Sequence, residues 1–564
     1  MNATPWLNSY PPSVPNEINA DQYENLVDFF EECINAYHEN IAFENLGVEL
    51  SFNQIDDMSN KFANYLIHET SLVAGDRVAL QMPNVLQYPV ALFGVLKAGM
   101  IVVNTNPQYK PSEMEHQFTD AGTKAFVILN TFAFKLEEIL PKTPLKCVII
   151  AEVGDLLGSM KGAIVDFMIK RVKRMVPEYH IPNAISFHEV LKKGSAYNYK
   201  RHGAKSSDIA LLQYTGGTTG VAKGAALSHR NLIANIEQVA AWMKPKLIPG
   251  KEITITALPL YHVFALTVNC FGMLKIGAKN ILITDPRKMK DFIGVLKKHP
   301  FTVITGVNTL FNGLLQRVEF QQLDFSHLKI AVAGGMALQK SVFDQWKDVT
   351  GNEIVEGYGL SETSPLLTCN PIDGTGKIGT IGLPVPSTII KLVNDEGQES
   401  PKGEFGEIWA KGPQVMTEYW NQPEETLNVM EDDWFKTGDI ATLSDDGFLT
   451  IVDRKKEMIN VSGMKVFPNE VEGVISQVKG VLEVGVIGVP HKTSGEVVKA
   501  FVVRSNDNLT EHEVMIFCRE HLVAYKMPKH IQFMGDLPKS NVGKILRKEL
   551  RKLEAANQAI SVKQ

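Results

Sequence analysis

Along most of the chain, short apolar runs alternate with longer segments whose apolar residues recur at helical spacing. The runs Arg77-Val78-Ala79-Leu80, Ala125 to Leu129, Cys147 to Ile150, Ile253 to Thr256, Ile281 to Ile283, Val303-Ile304 and Ile330 to Val332 predict buried strands. The segments between them predict covering helices, the first over Leu26 to Tyr37. Such alternation argues for an α/β fold of parallel sheets flanked by helices, with functional loops at the carboxyl ends of the strands. After about residue 385 the pattern shifts to smaller β structure, as in Gly406 to Ala410 and Phe448 to Val452. Beyond Asp453-Arg454-Lys455-Lys456 the remainder reads as a small α/β unit. It contains a helix with Val471, Val474, Ile475 and Val478 inward, strands at Val484 to Val489 and Val497 to Val503, and a helix opened by Thr510 and Glu513 in capping-box spacing. The expected division is a large body, residues 1–453, and a small carboxyl-terminal domain, residues 454–564.

One segment breaks the rhythm. Between Met160 and Tyr179, the apolar residues Ile164, Phe167, Met168, Val172 and Val176 are interleaved with Lys161, Lys170, Arg171, Lys173 and Arg174 against a lone Asp166. A basic amphipathic helix over 160–179 can lie on an anionic membrane surface or pack on its own domain.

Composition narrows the class. With 564 residues, 44% hydrophobic and 21% charged, the chain is an ordinary globular sequence long enough for more than one domain. A formal net charge of -6 offers no general attraction to nucleic acid, so an anionic ligand must be met by local cations. The five cysteines form no C-x-x-C pair, which argues for reduced thiols in a cytoplasmic setting and against a metal site. No secretory signal is visible at the start of the sequence, and the longest apolar stretch, Tyr88 to Val103, is too short for a span and carries Lys97.

The chemistry concentrates in Tyr214-Thr215-Gly216-Gly217-Thr218-Thr219-Gly220-Val221-Ala222-Lys223-Gly224. An apolar strand, Ile209 to Leu212, runs into this loop, and Ser228 then opens a helical pattern at Leu232, Ile233, Ile236, Val239 and Ala240. Glycines allow close approach of backbone amides to a ligand, and the threonine hydroxyls and Lys223 add donors for oxyanions. The stretch is not a Walker A loop, because Val221 and Ala222 separate the last loop glycine from the lysine.

This wording resembles the phosphate loop of the adenylate-forming superfamily, which contains acyl-CoA synthetases, firefly-type luciferases and peptide-synthetase adenylation domains. Further stretches match that family in order. Leu258-Pro259-Leu260-Tyr261-His262-Val263-Phe264 resembles the segment bordering the acyl pocket, and Gly334-Gly335-Met336 the loop along adenine and acyl group. Glu356-Gly357-Tyr358-Gly359-Leu360-Ser361-Glu362-Thr363 resembles the segment whose tyrosine stacks on adenine, whose hydroxyl meets phosphate and whose glutamate helps hold magnesium. The family usually has Thr where Ser361 stands. Asp439 in Trp434 to Ile440 matches the ribose-binding aspartate, with Arg454 adding a ribose or phosphate contact and Asp453 acting as hinge. Pro538 to Ile545 resembles the loop that delivers the catalytic lysine, here Lys544.

The resemblance implies ATP, Mg2+ and coenzyme A as reactants and ligand, with Lys544, His262 and Glu362 in the chemistry. It also implies rotation of the small domain about Asp453, which would bring the face around Gly463 to a pantetheine tunnel. The block from Trp434 to Pro468 is similar to the signature of fatty acyl-CoA synthetases, and bacterial long-chain-fatty-acid CoA ligases resemble nearly the whole chain. Phe264-Ala265-Leu266-Thr267-Val268 lacks the acid that amino-acid-activating relatives carry after this segment. The expected reaction is activation of a long-chain fatty acid to its acyl-CoA through an acyl-adenylate. Medium-chain or aryl acids, transfer to a carrier protein, or a membrane-surface fatty-acid binding module are the alternatives. A homodimer, and a peripheral place on the cytoplasmic face of a membrane, are further expectations.

Overall fold

A computed structural model describes residues 4–215, 222–401, 403–491, 493–505, 507–540 and 543–561. Two large sheets make up the body. The first runs, edge to edge, through Glu418–Tyr419, Lys223–Ser228, Ile209–Thr215, Ile101–Asn104, Arg77–Gln81, Thr123–Leu129, Cys147–Ala151 and Ile185–Ser186. The second runs through Leu383–Pro384, Leu366–Cys369, Ile354–Gly359, Ile330–Ala333, Val303–Gly306, Ile253–Thr256, Lys279–Leu282, Ile41–Asn45 and Val48–Ser51. Their central strands pair in parallel, as in Val102↔Leu211 and Ile304↔Ala331. The apolar runs in the sequence are these strands, buried on both faces as parallel sheets require. The first long helix spans Leu26–Tyr37, opened by Asn25, whose side chain accepts the Val27 and Asp28 amides.

Two local features become visible only in the structure. The glycine loop does not lead straight into a helix. It joins Ile209–Thr215 to an antiparallel return strand, Lys223–Ser228, with Thr215 opposite Lys223, and Ser228 then caps helix His229–Met243. The loop residues Gly216, Gly217, Thr218, Thr219 and Gly220 lie outside the described residues. The segment after His262 is helical, with a widened turn over Ala265–Gly272, so His262 sits in the loop that follows strand Ile253–Thr256.

A third sheet holds Ile389–Val393, Gly406–Lys411, Trp434–Leu443 and Met430–Glu431, with Leu449–Arg454 against Trp434–Leu443. Its register places Asp439 opposite Arg454. Beyond Asp453 lies a fourth sheet of Met464–Val466, Ile459–Val461, Gly495–Arg504, Val481–His491 and His530–Met534. Val471 and Ile475 of helix Pro468–Ile475 and Val514 of helix Glu511–His521 pack on Val484, Val486, Val498 and Ala500. Thr510 and Glu513 form the expected capping box, at 2.8 and 3.3 Å.

The basic segment is shorter than its pattern suggests. Helix covers Ser159–Phe167, a wider helical turn covers Met168–Val172, and Arg174 then takes a positive φ. Its polarity is inverted. Asp166 turns inward and accepts the Gly154 amide at 2.9 Å, and Gly162 packs so closely that a Cβ would stand 2.3 Å from the Gly154 carbonyl oxygen. Met160, Ile164, Phe167 and Val172 face out, 77, 58, 60 and 57% exposed.

No helix among the described residues is long and apolar enough to cross a membrane. The apolar stretch from Tyr88 instead divides into helix Gln87–Lys97 and strand Ile101–Asn104. Lys97 at the helix end is only 1% exposed. Its ammonium pairs with Asp56, which is 31% exposed, and donates to Ser59 Oγ at 2.8 Å and Asn60 Oδ1 at 2.7 Å. Burial depresses the Lys97 pKa, with Asp56 opposing. Asp56→Ala strands a buried cation and should cost about 3 kcal/mol. Lys97→Met removes the charge and leaves Asp56 able to hydrate, so it should cost about 1 kcal/mol. Thermal denaturation of the two variants should give that order, with Asp56→Ala the lower melting.

Candidate active site

A cavity of about 1970 Å³ opens where the body sheets, the third sheet and the small domain meet. The carboxyl end of strand Ile209–Thr215 supplies Tyr214 and Thr215, and the return strand supplies Lys223. The loop after Ile253–Thr256 supplies His262, the loop after Ile330–Ala333 supplies Gly334 and Gly335, and Ile354–Gly359 supplies Glu356, Gly357, Tyr358 and Gly359. Ser361, Glu362, Asp439 and Arg454 complete the body's share, and Lys544 enters from the small domain. Residues distant in sequence thus converge because parallel strands end on one side. Gly463 does not line this cavity. It occupies an exposed turn between Ile459–Val461 and Met464–Val466.

Polar groups in the site are held in fixed poses. Asp439 Oδ2 accepts from the Tyr358 hydroxyl at 2.7 Å, and Oδ1 faces Arg454 Nε at 3.1 Å. Glu362 is buried, with Oε1 accepting from the Tyr419 hydroxyl at 2.6 Å. Lys223 pairs with Glu425 and lies 5.4 Å from the Tyr419 ring centre. The Tyr214 hydroxyl donates to Asp120. Gly334 must be glycine for space, since a Cβ there would come within 2.9 Å of the Phe264 ring.

Groups that border the void keep some surface unpacked, yet the protein around them shields them from bulk water. Burial accordingly pushes the Glu356 carboxyl up to about 8, so at neutral pH it holds its proton, with Oε1 accepting the Leu338 amide at 3.4 Å. Burial, reinforced by Lys544, pushes His262 down to about 4, so the imidazole is neutral. Its Nδ1 accepts the Phe264 amide at 3.4 Å, which leaves the proton on Nε2.

Lys544 is brought in by a close dock. Gly543 has φ +80°, and a Cβ there would stand 2.4 Å from Thr309 Oγ1 of the body. The Lys544 amide donates to Ser540 Oγ at 3.1 Å, while its ammonium makes no ion pair or hydrogen bond among the described residues. Burial first, then the neighbouring cations Arg454, Arg547 and Lys456, push it down to about 8, with Asp439 opposing.

Sequence reasoning missed the residues that hold this dock. Arg547 Nη1 lies 3.1 Å from Asp453 Oδ1, its Nη2 bonds Glu472 Oε2 at 2.8 Å, and the Asn469 amide donates to Asp453 Oδ2 at 2.7 Å. The signal available was Arg547 itself, one helical turn beyond Lys544 in an otherwise apolar Ile-Leu step. Tyr419, which orients Glu362, carried no sequence signal.

Among the described residues no group of three or more His, Cys, Asp or Glu is placed to hold a metal. Glu362 alone suits Mg2+, a cation that keeps several waters and takes one or two carboxylates together with substrate phosphates. Glu362 lines the cavity, and among the described residues its Oε2 takes no hydrogen bond.

The order of strands, the lysine delivered by the small domain and the paired Tyr358–Asp439–Arg454 set define an adenylate-forming enzyme. The chain belongs to the AMP-binding enzyme family, whose model matches residues 30–420, and the model for the AMP-binding enzyme C-terminal domain matches residues 470–544. It is 53% identical over 546 residues to the long-chain-fatty-acid--CoA ligase of Escherichia coli O6:H1, covering 97% of each chain. It is 37% identical over 562 residues to the protein of the same name from Bacillus subtilis, covering 99% of each. Among solved structures, the anthranilate CoA ligase AuaEII in complex with anthranoyl-AMP superposes with TM-score 0.85 at 25% identity, covering 96% of this chain and 100% of that one. ATP-bound MatB from Rhodopseudomonas palustris gives TM-score 0.81 at 28% identity, covering 94% and 99%.

If the small domain swings away from the body, as the resemblance implies, the depressed Lys544 pKa ties that opening to pH. An exposed Lys544 would titrate near the ordinary 10.5, against about 8 in the closed arrangement. Below about 8 both forms carry the proton, and closure bears the full desolvation penalty. Between the two values the open form holds a proton that the closed form has released, so closure becomes more favourable as pH rises. Lys456, also pushed down to about 8, acts in the same direction. Without nucleotide, a fluorescence distance between body and small domain should report more closed protein at pH 9.5 than at pH 7. Lys544→Met should reduce the slope to the part due to Lys456.

Proposed function

We propose that the protein is an ATP-dependent long-chain-fatty-acid CoA ligase working through an acyl-adenylate. The observation that carries the proposal is the Lys544 ammonium, which takes no ion pair among the described residues, in a cavity whose lining also includes the apolar arm of Val239, Trp242, Val268 and Val332. An anion belongs at one end and an aliphatic chain at the other. No acidic side chain occurs in Phe264 to Val268, and Thr267 is occupied by donating to the Ser364 carbonyl at 2.7 Å, which leaves an amino-acid ammonium without a partner there.

In the first half-reaction a carboxylate oxygen attacks the α-phosphorus of ATP, the bond to the bridging oxygen breaks, and pyrophosphate leaves. Lys544 in its protonated form stabilises the charge on the phosphate oxygens, helped by the amides and hydroxyls of Thr215 to Gly220, Lys223 and Ser361. Glu362 would hold Mg2+, which supplies charge neutralisation of the phosphates. Asp439, released from part of its contact with Tyr358 and Arg454, accepts from the two ribose hydroxyls, and the Tyr358 ring stacks on adenine. Neutral His262 offers Nε2–H to the acyl carboxylate. The small domain then turns about Asp453, bringing the Gly463 turn towards the body, and the thiolate of coenzyme A attacks the acyl carbon with AMP leaving.

The inverted helix Ser159–Phe167 supports docking on an anionic membrane surface. Its outward apolar row is flanked by exposed Arg171, Lys173 and Arg174, which take no ion pair among the described residues, while Lys170 is tied to Glu152 at 2.6 Å. Apolar insertion together with cationic flanks fits an anionic lipid interface.

Palmitate, ATP, Mg2+ and coenzyme A should yield AMP, pyrophosphate and palmitoyl-CoA. Pyrophosphate with no acyl-CoA would point to a carrier-protein acceptor, and no pyrophosphate would overturn the proposal. Lys544→Ala should slow adenylation by about a hundredfold or more while sparing thioester formation from supplied acyl-adenylate. Equal loss in both steps would contradict its role. Ile164→Asp with Phe167→Asp should abolish cosedimentation with phosphatidylglycerol vesicles, and Arg171, Lys173 and Arg174 changed to Gln should weaken it and remove its salt dependence.

A further inference from the structure

The ligase reading leaves open what limits the length of the acyl chain, and the apolar arm of the cavity bears on this. It is lined by Val239, Trp242 and Met243 from the last turns of helix His229–Met243, by Val268 of the widened helical turn, by Val332 of strand Ile330–Ala333, and by Cys369 and Ile372, all in one apolar cluster. None of these side chains carries a charge, so this end of the cavity attracts hydrocarbon and rejects an ionised headgroup.

Trp242 is fixed from several directions. Its indole N–H donates to the Asn370 carbonyl at 3.0 Å. The ring of Tyr10, from the segment that precedes the first long helix, meets it edge-on at 5.3 Å and 89°. Tyr10 is itself anchored, its hydroxyl donating to the Pro384 carbonyl at 2.5 Å. Trp242 thus has its polar edge satisfied and its ring backed, and it cannot swing aside as the unbranched Met243 can. The apolar cluster that contains Trp242 continues through Leu247, Val14 and Trp6, so space freed at Trp242 would be hydrocarbon-like.

Resting on the ligase reading, we propose that Trp242 is the closed end of the acyl tunnel and sets the longest chain accepted, with Tyr10 as the positioning residue that holds it there. A chain one methylene too long would have to displace a ring pinned by a buried hydrogen bond and an aromatic contact. A chain that stops short leaves the indole undisturbed, so the cut-off should be steep on the long side and gradual on the short side.

The test is a series of saturated acids from C8 to C24 with ATP, Mg2+ and coenzyme A, measured as kcat/KM for wild type, Trp242→Ala and Tyr10→Ala. Trp242→Ala should move the long-chain cut-off outward by about two to four carbons, with about a fourfold gain in kcat/KM for each methylene newly accommodated. Tyr10→Ala should blunt the cut-off without moving the optimum, an effect that loss of stability alone would not produce because it lowers all chain lengths together. Independently of any variant, palmitate carrying a terminal diazirine should photolabel the wild-type protein within Val239 to Met243 or at Val268. An unchanged profile in both variants, or label placed elsewhere, or absence of label while turnover persists, would overturn the assignment. A wild-type enzyme inactive on every acid in the series would overturn the ligase reading and this assignment with it.

Discussion

A positive charge held in a walled cavity without a carboxylate of its own is the constraint from which the rest of the site follows. Lys544 shares its surroundings with Arg454, Arg547 and Lys456, and Asp439 is the nearest offset. In a chain whose net charge is -6, this is a local concentration of positive potential shielded from solvent, where each charge acts at greater strength than in water. Such an arrangement is costly when empty and favourable when a polyphosphate fills it. The proposed swing of the small domain would link ligand binding to closure, because Lys544 reaches the cavity from that domain.

At the junction between body and small domain lies a buried polar network. Asp453 is wholly buried, and its two carboxylate oxygens take the Arg454 and Asn469 amides and the Arg547 guanidinium, which also grips Glu472. Burial raises the Asp453 pKa even beside Arg547. A fully satisfied ionic network of this kind specifies one geometry without adding much net stability, which suits the hinge proposed at Asp453. The register Asp439↔Arg454 carries that geometry directly into the nucleotide end of the cavity.

Much of this was legible in the sequence, for physical reasons that differ by element. Buried parallel strands such as Thr123–Leu129 and Ile330–Ala333 are continuous apolar runs, and helix Leu26–Tyr37 and the Thr510 cap announce themselves locally. Asp439, Tyr358, Arg454 and Lys544 stand in motifs and converge in one cavity. What escaped is long-range. That Lys223–Ser228 is a strand depends on pairing with Ile209–Thr215, and that Tyr419 holds Glu362 or Arg547 holds Asp453 depends on the completed fold. The direction in which the segment after Gly158 faces was equally invisible, since helical spacing reveals that a face is apolar but not whether it turns inward. Gly162 and Asp166, packed against Gly154, decide that.

The amino-terminal strap has a consequence for how the molecule is made. Trp6 lies against Gly447, whose Cβ would come 2.4 Å from the Trp6 Cα; Ser9 bonds the Asp446 carbonyl, and Tyr10 bonds Pro384. All of these partners emerge from the ribosome long after the strap itself. The partners of Ser9 and Tyr10 stand 437 and 374 residues further along the chain, so the strap cannot find its full place until they have been made, and its aromatics stay unpacked on the unfinished chain until then. That face of the protein is thus completed by a segment that is made before the residues it must clasp.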